Sequence, residues 1–451
     1  VSSTAPTEQI QTRQWWRGYA ADAAALVKSR GAQDFSLNLM FTLAAYAAGV
    51  AAEKLIVIPY LARNLDGSSF GGLLLGRNAT LILAGGLVSG IYNLLLRQNR
   101  DWEGAAKAVA VRSAGILGLM LSGVVTTLAL LALAVRSGPG FLQQQALPIF
   151  AFIVWGGANT LTVILQTYWR MHFRIPFFSL MQLVAGSGLI VVVPFHLWLG
   201  LPGVYWGLIA AGVGPLLLTL IIGYRETAGQ AAPLWRAAEA WEMCRRMWVF
   251  VWGAASLSLL QNTDRFVIGY LLGTATVGSY FKSTNVAYLI VVLVEPVAGL
   301  VLSMASQERI GEHTIRQLRL LHVLIAAGML GSLAIGVVLG RPLTDLLYGA
   351  GAFESGKPLY WIILAGSSCS VVSILLRGLL IVHVAPVWIV WIDTISVLFI
   401  TVSTFILVKL YGLMGAAVAV ALSMVLRAAM SEVAVRLTIT KSRKSKVESR
   451  K

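Results

Sequence analysis

Twelve apolar stretches, each long enough to cross a bilayer, limit this chain to one class of fold. They lie at about 36–62, 70–96, 113–135, 146–169, 175–196, 201–223, 247–272, 279–305, 317–340, 358–382, 385–408 and 412–435. A helix rising 1.5 Å per residue needs about 20 residues to span the ~30 Å hydrocarbon core. With 57% hydrophobic residues, 12% charged and a mean hydropathy of +0.78 over 451 residues, the chain is too apolar for a soluble protein of any domain count. The expected fold is all-α: a polytopic membrane protein with twelve transmembrane helices.

Six stretches precede the polar link TAGQAAPLWRAAEAWEMCRR and six follow it. The expected organisation is an N-terminal segment (1–35), a six-helix lobe (36–225), a linker (226–246), a second six-helix lobe (247–436) and a basic tail (437–451). The N-terminal segment, with QWWRGYAADAAALVKSR, fits an interfacial helix and a frayed tail equally well. It lacks the pattern of a cleavable signal peptide, so the first span is expected to serve as the address.

The halves repeat one another. AAEKLIVIPYLARNLDGSSFGGLLLGRNAT from Ala51 returns as QNTDRFVIGYLLGTATVGSYFKSTNVA from Gln261. An offset of 211 lays Asp264 on Glu53, Arg265 on Lys54, Gly278 on Gly67, Ser279 on Ser68 and Phe281 on Phe70. Ile164, Leu165 and Pro176 recur as Ile374, Leu375 and Pro386 at offset 210, and GLPG from Gly200 recurs as GLMG from Gly412 at offset 212. Anchors spread this widely at one offset indicate a duplicated unit. Six is even, so both halves enter from one side and the repeats are parallel.

A net charge of +16 suggests nucleic acid in a soluble chain, but here position decides. With cytoplasmic termini, 26 of the 35 Lys and Arg fall on the cytoplasmic side, against Arg63, Arg136, Arg341, Lys357 and Lys409 opposite. The expected partners are therefore membrane lipids and a lipid substrate, with no nucleic acid. Cys244, Cys369 and the scattered histidines lack metal spacing. GAFESGKP from Gly351 fails as a phosphate loop because Pro358 follows Lys357 and no βαβ unit surrounds it. With short external loops and no nucleophile arrangement, neither an enzyme nor a bound cofactor is expected. Gly86 and Gly90, spaced as GxxxG, suit close helix packing.

Four cations remain inside the spans: Lys54, Arg77, Arg265 and Lys282. Each costs roughly 2.5–3.5 kcal/mol to insert, so a function is expected to require them. Two from each half at one depth suit a cavity for an anion, and the arginine fork matches phosphate. The intramembrane acids are Glu53, Asp264, Glu295 and Asp393, candidates for carrying a coupling H+ or Na+ or for forming a gate. Neighbours on a helix point about 100° apart, so Glu53 is not expected to be neutralised by Lys54, nor Asp264 by Arg265. Crossed pairs between the halves, Glu53 with Arg265 and Asp264 with Lys54, are expected to close the external side.

The run IPYLARNLDGSSFGGL, and TDRFVIGYLLGTATVGSYFKSTNVAY with Asp264, Arg265, Gly273, Gly278 and Tyr280, resemble the signatures of Wzx-type polysaccharide flippases. These belong to the multidrug/oligosaccharidyl-lipid/polysaccharide exporter superfamily. The resemblance implies a flippase that moves a polyprenyl-pyrophosphate-linked oligosaccharide to the outer leaflet of a bacterial cytoplasmic membrane by alternating access. It places Lys54, Arg77, Arg265 and Lys282 around the pyrophosphate and sugar, and implies a polysaccharide polymerase and chain-length proteins as partners. The alternatives are an exporter of cationic drugs, which a cationic cavity would repel, and a non-transporting subunit or polymerase of a polysaccharide assembly system.

Overall fold

The computed structural model describes residues 30–98, 105–137, 145–172, 174–227, 237–292, 294, 298, 312–383 and 386–448. Every regular element among them is a helix. In chain order these are α1 (Arg30–Val50), α2 (Ile58–Asn64), α3 (Gly67–Gln98), α4 (Ala105–Ser137), α5 (Ala146–Met171), α6 (Ile175–Ser187), α7 (Val192–Leu199), α8 (Leu201–Thr227), α9 (Ala237–Leu272), α10 (Thr274–Val292), α11 (Glu312–Tyr348), α12 (Ala352–His383) and α13 (Pro386–Glu448). A π-helical turn, Ala51–Val57, joins α1 to α2, and a 3-10 turn, Gly188–Val191, joins α6 to α7, so each of these pairs forms one crossing. The expected interfacial helix before Arg30, Glu295 and the centre of the linker lie outside the described residues.

Nine stretches among the described residues are long and apolar enough to cross a membrane. The last of them, Trp388–Leu437, is two crossings, because Gly412 turns the chain at φ 60° and ψ −137° inside α13. The helices α9 and α10 complete twelve. They are more polar than the others, α9 carrying Asn262, Asp264 and Arg265 and α10 carrying Lys282 and Asn285.

Turns are tighter than the apolar stretches suggest. The chain reverses at Leu65 and Asp66, because the Asp66 carboxylate caps α3 by accepting the Ser68 and Ser69 amides at 3.1 and 3.0 Å. Likewise α10 starts at Thr274, since Gly273 supplies the reversal at φ +89°. GAFESGKP mostly opens α12, with Pro358 inside that helix.

The duplication is visible in the backbone. Gly200 (φ 62°, ψ −142°) and Gly412 (φ 60°, ψ −137°) make the same reversal 212 residues apart. Three residues beyond each, a Cβ on Gly203 or Gly415 would lie 1.9 Å from the carbonyl oxygen of Phe195 or Leu407. The halves meet along α3 and α9, where a Cβ on Gly86 would sit 2.8 Å from Ala255 Cβ and one on Gly90 2.4 Å from Val251 Cγ2. That close approach is the packing role expected of the GxxxG spacing.

Candidate functional site

Between the halves lies a cavity of about 510 Å³, lined by α1, the π turn, α3, α5, α6 and α8 from one half and α9, α10, α12 and α13 from the other. Its shape begins with Pro59. A proline in a helix removes a donor and crowds the carbonyl four residues back. The backbone widens into the π turn just before it, and Ile58 N–H bonds to the Glu53 carbonyl. Glu53 and Lys54 ride on this turn and line the cavity.

Three of the four expected cations meet here: Lys54, Arg77 and Arg265. Arg77 reaches Glu53 Oε1 through Nη2 and donates from Nη1 to Asn78 Oδ1 at 3.2 Å. Lys54 Nζ lies 3.8 Å from the same Glu53 oxygen. Arg265 donates from Nη1 to Asn262 Oδ1 at 3.0 Å, while its buried Nε has no hydrogen-bond partner among the described residues. Phe281 receives a cation from each half: Arg265 Cζ lies 4.9 Å and Lys54 Nζ 5.8 Å from its ring centroid. The ring's negative faces lower the cost of holding two like charges in one place.

Lys282 does not line the cavity. Its ammonium sits 5.8 Å from the Phe70 ring, and Phe70 in turn meets Phe281 edge to face at 6.1 Å between the halves. Around these rings Val57, Leu61, Leu74, Val277 and Tyr280 are buried, so the cavity is sealed toward the Asp66 end. Arg63 closes the rim there, donating from Nε to the Leu347 carbonyl at 3.0 Å and also to that of Leu346. Those carbonyls end α11 and have no helical donor of their own.

The acids separate into different roles. Glu53 opens onto the cavity with its side chain 21% exposed. Asp264 is fully buried and turns away, accepting its neighbour's amide at 2.9 Å and the Tyr288 hydroxyl at 3.5 Å. Asp393 stands apart from the cavity in an ion triad, with Arg377 Nη1 at 3.0 Å and Arg427 Nη2 at 3.0 Å. Arg377 also donates to the Gly253 carbonyl at 2.8 Å, tying α12 and α13 to α9. The crossed pairs expected between the halves are not formed, although the Asp66 end is closed. Glu53 takes partners from its own half, and Lys54 is among them: two long side chains on a widened turn reach one another despite pointing apart at the backbone.

Several site residues escape sequence reasoning. Asn159, Gln182, Gln261, Asn262 and Asn285 give the cavity neutral hydrogen-bonding groups, and Trp155 and Tyr288 give it aromatic faces. Gln182 is held by Gln166 at 2.8 Å. Arg377 and Arg427, as partners of Asp393, look from sequence like cations near helix ends. The repeat itself carried the signal for Tyr288, because the 211-residue offset lays it on Arg77.

The family described as "Polysaccharide biosynthesis protein" matches residues 60–351. Among curated proteins none matches in sequence. Solved structures of low sequence identity share the fold. The eukaryotic MATE transporter AtDTX14 is 12% identical at a TM-score of 0.69, covering 92% of this chain and 98% of that one. The Vibrio cholerae MATE transporter VcmN, in its bent form, is 13% identical at 0.61, covering 90% and 97%. A MOP superfamily transporter from Pyrococcus furiosus, reported with a binding pocket of reversed polarity, is 14% identical at 0.62, covering 89% and 95%. With its match spanning well over half the sequence, the chain belongs to the polysaccharide biosynthesis protein family, and it has the MATE transporter fold.

Proposed function

We propose that this protein is a flippase that carries a polyprenyl-pyrophosphate-linked oligosaccharide from the inner to the outer leaflet of a bacterial cytoplasmic membrane. The observation that carries the reading is the set of three cations, Lys54, Arg77 and Arg265, brought from both halves onto one cavity. Arg265 Nε is left without a hydrogen-bond partner there among the described residues. A buried cluster of like charge is costly unless an anion completes it. A pyrophosphate fits that demand, with the guanidinium fork bonding two oxygens at once. The volume suits a drug-sized portion of a ligand, so the cavity takes the headgroup and first sugars while the polyprenyl tail stays in lipid.

In this reading the termini are cytoplasmic, the sealed Asp66 end is external, and the structure stands in an inward-facing state. Alternating access opens the Phe70–Phe281 seal while the helices near the termini close. Among the described intramembrane acids, proton or sodium coupling falls to Glu53, since Asp264 is turned away and Asp393 already holds two arginines. A polysaccharide polymerase and chain-length proteins would act on the product. The multidrug alternative is disfavoured, because a cavity with three cations and one acid repels cationic drugs.

The test is glycan export in a strain lacking the native gene. Arg77→Ala is expected to abolish it at unchanged protein level, Arg77→Lys to restore part, and Lys282→Ala, off the cavity, to keep most. Normal export from an Arg77→Ala, Arg265→Ala double variant would remove this reading.

A further inference from the structure

Glu53 sits where an anionic ligand would sit. The lining residues described carry four formal charges, Lys54, Arg77 and Arg265 against Glu53. With Glu53 ionised, the surplus is two positive charges, the complement of a diphosphate diester dianion. Yet Arg77 is not free to meet that dianion, because Nη2 is held by Glu53 and Nη1 by Asn78. An incoming phosphate needs the same edge of the fork.

We propose that Glu53 is an internal competitor which the dianionic headgroup displaces from Arg77, so that headgroup binding takes up a proton at Glu53. The proposal rests on the headgroup reading above. Once the dianion takes Arg77, the carboxylate loses its closest partner and gains a negative neighbour in a partly dry site, both of which disfavour its charged form. Its exposure to the cavity gives a proton access. The other titratable groups facing the cavity are Tyr46 on α1, Lys54 on the π turn, Arg77 on α3, Arg265 on α9 and Tyr288 on α10. Among the described residues, α5, α6, α8, α12 and α13 contribute no titratable side chain to the lining.

The sign follows from linkage. A proton bound together with the headgroup means that affinity rises as pH falls, by up to about tenfold per pH unit. Headgroup and proton then bind synergistically and share one loaded state, instead of excluding one another.

The experiment uses the full chain purified in detergent and a short-chain prenyl diphosphate linked to N-acetylglucosamine, a diester whose charge is constant across neutral pH. Titration calorimetry in buffers of different ionisation heat counts the protons taken up. Wild type is expected to take up close to one proton per headgroup at pH values where the free carboxylate is ionised and the headgroup-bound one protonated, and progressively less in alkali. Glu53→Gln is expected to take up none and to bind at least about tenfold tighter there. Glu53→Ala serves as the second variant, with the same loss of uptake. Binding by wild type with no proton uptake, with affinity falling as pH falls, or with weaker binding by Glu53→Gln, overturns the competitor role alone. Failure of wild type to bind the probe at all, or binding indifferent to Arg265→Ala, overturns the headgroup reading and this inference with it.

Discussion

The two halves place a polar pair at the same two positions but exchange which pair carries charge. In the first half Glu53 and Arg77 form an ion pair on the cavity, while Gln166 and Gln182 share a neutral hydrogen bond of 2.8 Å. In the second, at an offset of 211, Asp264 meets the neutral Tyr288 hydroxyl at 3.5 Å, and Arg377 meets Asp393 at 3.0 Å. The duplication therefore keeps which helix faces touch and leaves the charge free to move. Where the charge lies on the cavity it can answer to a ligand. Buried as the Asp393 triad, it ties three helices together.

That contrast predicts unequal costs at matched positions. Asp393→Ala leaves buried Arg427 and half-buried Arg377 without their counter-charge and is expected to destabilise the protein by about 3–5 kcal/mol, read as thermal unfolding in detergent. The matched Gln182→Ala loses one neutral hydrogen bond and is expected to cost about 1 kcal/mol. Equal losses would break the comparison. At the other position, Arg77→Ala is expected to lower the export rate by about tenfold or more, as charged hydrogen bonds are lost. Tyr288→Phe gives up only a long hydroxyl contact and is expected to cost about twofold or less. An export defect in Tyr288→Phe as deep as that in Arg77→Ala would make the two positions equivalent after all.

The smallest effect belongs to the turns. Hydrogen bonds from Ser68 and Ser69 hold the Asp66 carboxyl well below the usual carboxylate range. A group depressed on folding contributes fully above its unfolded pKa and loses that contribution as pH falls toward its folded one. Protection of the Ser68 and Ser69 amides, measured against their intrinsic exchange rate at each pH, is expected to fall in acid, and in Asp66→Ala to be low at every pH. The second half turns on Gly273 with no acid at the turn, so the first amides of α10 are expected to show no such dependence.

The number of crossings, the duplication and three of the cavity cations were legible in the sequence, because apolar length and intramembrane charge are written in residue type. Pairing was less so. A regular 3.6-residue period placed Glu53 and Lys54 on unrelated faces, and it took the π turn ahead of Pro59 to bring both to the cavity. The second half has Tyr270 at the position matching Pro59, and α9 stays regular there. Asp264 accordingly turns inward while Arg265 faces the cavity. Lys282 matched the others in depth but not in direction, and depth is all that a count along a helix provides.

We propose headgroup transport across the membrane by the cations shared between the halves. Its direct measurement is leaflet exchange of a fluorescent prenyl diphosphate-linked sugar in vesicles holding the purified protein, read by quenching from outside. Wild type is expected to equilibrate the probe between leaflets, and a folded Arg77→Ala, Arg265→Ala double variant to leave it where it started. Exchange by the double variant at the wild-type rate, or no exchange by wild type, would show that these cations do not move a lipid headgroup.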